Sequence, residues 1–165
     1  MADYVKGLAG VIAAQTALSS VDGQNGVLTY LGINIHDLAG NASYEEAAFL
    51  LWHGHLPNAA ELAAFRRDLA EARELPPGVL AVLRAAPPEA VPMAVLRAAV
   101  SALAFTDPEV EDISIDATLR KGARLTAQFP TVVAAIERLR RGLDLVAPRP
   151  EERFEGDEAD TRRGS

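Results

Sequence analysis

No cysteine occurs anywhere in the 165 residues. That excludes disulfides, thiolate nucleophiles and Cys-ligated metals, and it fits a reducing cytoplasm. Aromatic residues are scarce at 5% although apolar residues make up 49%. The core must therefore be built from Ala, Leu and Val, which favours closely packed helices. Lysine occurs only as Lys6 and Lys121, and positive charge is the minority, leaving a net charge of −7. A nucleic-acid partner needs a basic stripe, and only the short Arg138, Arg140, Arg141 cluster offers one, so none is expected. No run of about 20 apolar residues could span a bilayer, and Met1 to Leu8, with Asp3 and Lys6, does not read as a signal peptide. These absences lead to an expectation of a cytoplasmic, mostly helical chain with no membrane partner.

What is present divides into three segments. Residues 1–36 carry the strand character. Val11-Ile12 and Thr16-Ala17-Leu18 precede Val21-Asp22-Gly23-Gln24-Asn25-Gly26, and Val27 to Leu31 follows. Asp-Gly and Asn-Gly tolerate positive φ, so the pattern predicts a β-hairpin, which Gly32-Ile33-Asn34-Ile35 can extend as a third strand.

Residues 37–150 read as helices. Ser43 with Glu46 three residues later forms a capping box for a helix over Tyr44 to Trp52 that stops at Gly54. Asn58 caps a second helix to Arg73, with Leu62, Phe65 and Leu69 on one face. Pro76-Pro77 and Pro87-Pro88 bracket a short helix from Val79 to Ala86. Val91-Pro92 opens another that runs to Phe105, and Thr106-Asp107-Pro108 breaks the chain. Asp116 to Phe129 is helical, and Pro130 interrupts a pattern that continues to Leu139, predicting a kink or two abutting helices. Residues 143–150 read as an extended exit. Residues 151–165 contain only Phe154 and Ala159 as apolar members. Such a segment buries too little surface to offset its ordering entropy, and it is expected to be disordered.

Several stretches, in order, resemble the opening part of the citrate synthases. Gly7-Leu8-Ala9-Gly10-Val11-Ile12 with the Val21-Asp22-Gly23 turn is similar to the family's N-terminal hairpin. Tyr30-Leu31-Gly32-Ile33-Asn34-Ile35-His36-Asp37-Leu38 falls where the family has Tyr-Arg-Gly-Tyr-x-Ile-x-x-Leu. Tyr44 through Trp52-His53-Gly54-His55-Leu56-Pro57 resembles its helix ending in Gly-x-Leu-Pro. Pro92-Met93-Ala94-Val95-Leu96-Arg97-Ala98-Ala99-Val100-Ser101-Ala102-Leu103 is similar to Pro-Met-x-x-Leu-Arg-x-x-Val-Ser-x-Leu, and Phe129-Pro130-Thr131 to its Pro-Thr helix. The departures are Leu31 for arginine, Ile33 for tyrosine and Val91 for histidine.

The resemblance implies an all-α fold, the helices of a citrate synthase-like large domain with a small N-terminal β-hairpin. It also implies a dimeric family whose members condense acetyl-CoA with oxaloacetate, or propionyl-CoA in the methylcitrate synthases. The family's Gly-Pro-Leu-His-Gly-Gly segment, second histidine and aspartate have no counterpart here, and the resemblance ends near Glu151. No catalytic, cofactor-binding or metal-binding residue is therefore assigned, and no cofactor is expected. The leading expectation is a truncated or split member that self-associates, as a homodimer or higher, or pairs with a second citrate synthase-like chain. Acetyl-CoA and oxaloacetate would bind only after such completion. The alternative is a non-catalytic helical module that binds or modulates a full-length paralogue.

The remaining candidates are weak. His36, His53 and His55 are the only histidines. His53 and His55 flank a glycine and could share a metal, but no third ligand follows at a fitting distance, so they read as surface or connector residues. Asp107, Glu109, Glu111, Asp112 and Asp116 form an acidic run without the central glycine and terminal bidentate carboxylate of a calcium loop; it reads as a solvated loop face. Gly7-Leu8-Ala9-Gly10 lacks the Gly-Lys-Ser/Thr of a phosphate loop. Arg138, Arg140 and Arg141 could approach a CoA phosphate in a complete enzyme, but their place near a helix C-terminus needs only the helix dipole to explain it.

Overall fold

A computed structural model of the chain describes Gly7 and residues 14–149. The strand reading at Val11-Ile12, the Gly7 to Gly10 segment after its first residue, and the expected disorder of 151–165 lie outside the described residues. By its contacts the chain divides into two compact units, Met1–Leu56 and Pro57–Ser165. The change from strand to helix near residue 36 thus falls inside the first unit, which holds the sheet together with two helices.

In the first unit, β1 (Ser19–Asp22) pairs antiparallel with β2 (Val27–Tyr30), from Ser19 opposite Tyr30 to Asp22 opposite Val27. The connecting turn is organised by one side chain. Asp22 Oδ1 accepts from the amides of Gln24 and Asn25, both at 3.1 Å, and Asn25 Nδ2 donates to Asp22 Oδ2 at 2.7 Å. Such Asx geometry is why Asp and Asn serve turns. β3 (Ile33–Asn34) then pairs with β2 through a two-residue turn, in which Leu31 and Gly32 both adopt positive φ, 48° and 84°. The third strand is shorter than Gly32–Ile35 because the Asn34 side chain accepts from the His36 amide at 2.9 Å and starts α1 (Ile35–Asn41) at once. α2 (Tyr44–His53) opens with the full capping box between Ser43 and Glu46 and closes at Gly54, whose φ is 83°.

The second unit is helical among its described residues. Asn58 and Glu61 form a second capping box at α3 (Ala59–Glu71). Proline at the first helical position, where no amide donor is needed, starts α4 (Pro77–Ala85) and α5 (Pro92–Leu103). A short 3₁₀ turn, Ala104–Thr106, follows α5, and α6 spans Ile115–Arg140. Leu75, Val79 and Leu83 around α4, Val95, Ala99, Ala102 and Leu103 of α5, and Val132, Ala135 and Ile136 of α6 form one buried cluster. Fully burying an aliphatic side chain contributes about 1.5–3 kcal/mol, so this cluster carries the unit.

α6 runs through Pro130 as a single element, not as two abutting helices. The proline removes one backbone hydrogen bond and costs about 3 kcal/mol in a helix interior. Burial on both sides of it, by Ala127 before and Val132, Ala135 and Ile136 after, supplies the compensation. Tertiary packing here overrides the local breaker.

Candidate functional site

The three histidines lie in the first unit and all are exposed. His36 is in the first turn of α1. His53 ends α2, and with Gly54 in the left-handed conformation the chain turns so that His55 returns to the same aromatic ring. The Phe49 ring lies 4.1 Å from the ring of His53 and 5.4 Å, edge-on, from that of His55. His55 Nδ1 is also 3.2 Å from the His53 carbonyl oxygen. The pair therefore packs around a helix end. No group of three or more His, Cys, Asp or Glu able to hold a metal occurs among the described residues.

In the acidic run Glu111, Asp112 and Asp116 are exposed, whereas Asp107 and Glu109 are partly buried and paired with arginines of α6. Arg124 donates to Asp107 at 2.8 Å and to Glu109 at 2.9 Å, and Arg120 Nε donates to Glu109 at 2.9 Å. Lys121 Nζ caps the Asp112 carbonyl. Two arginines four residues apart on one face of α6 thus pin the connector between α5 and α6. The hydrogen bonds from Arg120, and then from Arg124, pull the Glu109 carboxyl from 4.5 down to about 2. Partial desolvation pushes Asp107 upward, yet the Glu109 amide and Arg124 hold it below its ordinary value. Asp112 is lowered by the backbone and hydroxyl of Ser114, the residue that caps α6. The spacing of Arg120 and Arg124 beside an acidic connector was the available signal for this network.

The three arginines near the end of α6 also have partners. Arg138 Nε donates to the Asp144 carbonyl, Arg140 Nε to that of Pro88 at 3.3 Å, and Arg141 Nε to Glu137 at 2.6 Å. Cations in the last turn also complement the helix dipole. Arg138 has a second position of interest. With Arg73 and Arg84 it stands at a groove of about 460 Å³ walled by α4, α6 and residues 145–148. Sequence reasoning missed this groove, because its walls come from residues far apart in the chain.

What the arrangement can do chemically is limited. The charged groups among the described residues tie one helix to the next.

Comparison with known proteins gives a consistent picture. The family described as "Citrate synthase, C-terminal domain" matches residues 7–160, reaching past Glu151. The citrate synthase of Haloferax volcanii is 48% identical over 147 residues, 87% of this chain and 39% of that protein. The 2-methylcitrate synthase 2 of Corynebacterium glutamicum is 42% identical over 146 residues, 88% of this chain and 38% of that protein. Among solved structures, citrate synthase from Pyrobaculum aerophilum superposes with a TM-score of 0.82 at 34% identity, covering 88% of this chain and 38% of that one. The chain spans about two fifths of the length of the relatives it matches.

Proposed function

Because the chain belongs to the citrate synthase family, we propose that residues 37–150 supply large-domain helices of a citrate synthase-like acyltransferase, and that its reacting groups are supplied by residues other than these. The observation that carries this reading is the contrast between a well-built α4–α5–α6 core and histidines occupied in packing around Phe49 at a helix end. The complete enzyme would join the acetyl methyl carbon of acetyl-CoA to the oxaloacetate carbonyl. That chemistry needs a base for the methyl proton and donors for the developing enol oxygen. Neither role is given to a residue of this chain. Propionyl-CoA is the alternative acyl donor, since 2-methylcitrate synthases are among the relatives. The cytoplasm, where no disulfide is needed, is the compartment this reading assigns.

A second reading is a non-catalytic module that binds a full-length relative. One observation favours a protein partner in either case. Leu125, Phe129 and Val133 are exposed at four-residue intervals on α6, 39%, 38% and 52% accessible. An unpartnered apolar stripe of that kind marks an interface.

The test is a native pull-down of this chain from its own cells, followed by release of free thiol from acetyl-CoA or propionyl-CoA with oxaloacetate. The scaffold reading expects turnover only when a chain bearing the family's histidines co-elutes. Turnover by the purified chain alone would sink it, and a full-length partner whose activity merely changes on binding would favour the module.

A further inference from the structure

Residues 144–149 follow α6 as an irregular strap that is fastened at both ends. Arg138 Nε donates to the Asp144 carbonyl, and Arg73, only 9% exposed, donates from Nη1 to the Arg149 carbonyl at 3.1 Å. Five residues separate those anchors, a span of at most about 18 Å at 3.3–3.6 Å per residue. Between them Leu145 packs on the buried cluster. The strap is thus a fixed third wall of the groove whose other walls are α4 and α6.

The two ends of the groove differ in charge. Gln128 of α6 donates to the Glu74 carbonyl at 3.2 Å, which places Glu74 beside Arg73 near the middle of α6. Arg140 donates to the Pro88 carbonyl at 3.3 Å, which brings the last turn of α6 to the chain just after α4. Arg84 in the last turn of α4 and Arg138 in the last turn of α6 therefore share the opposite, purely basic end. Arg84 is exposed and makes no hydrogen bond or ion pair among the described residues, and Arg138 engages only its Nε there. Between the ends, Leu80, Ala134, Leu145 and Val146 line the groove, and Thr131 is its one polar uncharged member.

A volume of about 460 Å³ lies in the range of small-molecule sites. A nucleotide or sugar would lose its hydrogen bonds to water along such a lining without replacing them. A hydrocarbon chain loses none. An idle guanidinium offers two parallel donors that match a carboxylate.

We propose that the groove binds a medium-chain aliphatic monocarboxylate. Its hydrocarbon chain lies along Leu80, Ala134, Leu145 and Val146, and its carboxylate meets Arg84 with Arg138 alongside. Glu74 repels a carboxylate at the other end, so the ligand has one orientation. The site does not depend on the scaffold reading, and its test measures no turnover.

The test titrates the full chain with octanoate, decanoate and dodecanoate below micelle-forming concentrations, following the methyl resonances of Leu80, Leu145 and Val146. Saturation at one ligand per chain is expected, with affinity rising about threefold for each added methylene. Arg84→Gln should weaken decanoate about tenfold and leave decanol unchanged, which separates the charged contact from the apolar one. Ala134 is exposed, so Ala134→Phe should fill the groove without disturbing the core and abolish binding of both. Absence of saturable binding overturns the proposal, as does equal affinity of the parent chain for decanol and decanoate. Shifts centred on Leu125 and Val133 overturn it too, because the ligand would then be coating the exposed stripe of α6.

Discussion

The sheet of the first unit and the helical core of the second are held together by different physics. Local side-chain bonds shape the sheet and its flanking turns: Asp22 to Asn25, Asn34 to His36, Ser43 to Glu46. β1 is exposed along its whole length. In the second unit, by contrast, Leu75 and Ile136 belong to one buried cluster, and Gln128 reaches the Glu74 carbonyl across 54 positions. Local turn chemistry can define a short hairpin, but a two- or three-stranded sheet has little independent stability without an apolar face to cover. The second unit draws its stability from burial. It should dominate any global unfolding measurement, whereas the hairpin should respond to changes in its turns.

The sharpest way to break this contrast is to truncate one side chain on each side of it. Leu83 is 1% exposed, and Leu83→Ala should lower unfolding free energy by about 2–5 kcal/mol, through lost transfer energy and the cavity left behind. Val21 is 74% exposed on β1, and Val21→Ala should stay within about 0.5 kcal/mol. Urea midpoints of the two variants at constant slope measure both. Comparable losses would show that the sheet is as strongly coupled to global unfolding as the core.

Overpacking should have the next largest effect. Ala99 of α5 is fully buried among Val and Leu side chains of the cluster, so Ala99→Leu must displace neighbours. It should cost about 1–3 kcal/mol by the same measurement. A neutral result would mean that α5 can slide on α4 and α6, and that the cluster is looser than its burial suggests.

Helix caps occur in both units and so test whether local chemistry has equal weight in each. Ser43 and Asn58 each complete a capping box. Replacing either by Ala should cost about 1 kcal/mol. If only Asn58→Ala registers in global unfolding, the helices of the first unit melt separately from the core.

The ion-paired connector adds a dependence on pH. Glu109 sits near 2 when folded against 4.5 ordinarily. Its contribution is therefore present above pH 4.5 and is lost as pH falls toward 2. Glu109→Gln should lower stability at neutral pH, and the gap from the parent should close between pH 4.5 and 2. The side chain is partly exposed and screened by solvent, so the gap will be small and should shrink in salt. An unchanged gap across that window would remove Arg120 and Arg124 as its cause.

What could be read from the sequence divides along the same line. Both capping boxes, the Asp-Gly turn and the stop at Gly54 are legible because all participants lie within a few residues. The continuity of α6 through Pro130 was not, because it depends on burial of Val132 and Ile136 against helices supplied by residues 75–103. The pairing of Asp107 and Glu109 with Arg124 spans 15 to 17 positions, so composition alone suggested a solvated face. The groove is less legible still, since Arg73, Arg84, Arg138 and Pro148 share no sequence pattern. The family resemblance was readable because it rests on helix faces and turns, the same local features that propensity and spacing describe.

The smallest expected effect concerns the one position where the local chemistry of the hairpin is poor. Leu31 holds φ at 48° beside Gly32 at 84°, and two positive φ values in a two-residue connection define a type I′ turn, which prefers Asn-Gly. A left-handed conformation costs a residue with a Cβ about 1–2 kcal/mol, and Asn bears less of that than Leu because its side chain bonds locally. Leu31 is half-buried, so part of the gain from Leu31→Asn will be offset by lost apolar contact. The net should be a stabilisation of about 0.5 kcal/mol, seen first as slower amide exchange in β2 and β3 and only weakly in the global midpoint. A clear rise in the global midpoint would couple the hairpin to the core after all. A loss of stability would mean that the contacts of Leu31 outweigh the strain of its backbone, and would explain how a side chain so ill suited to the turn persists there.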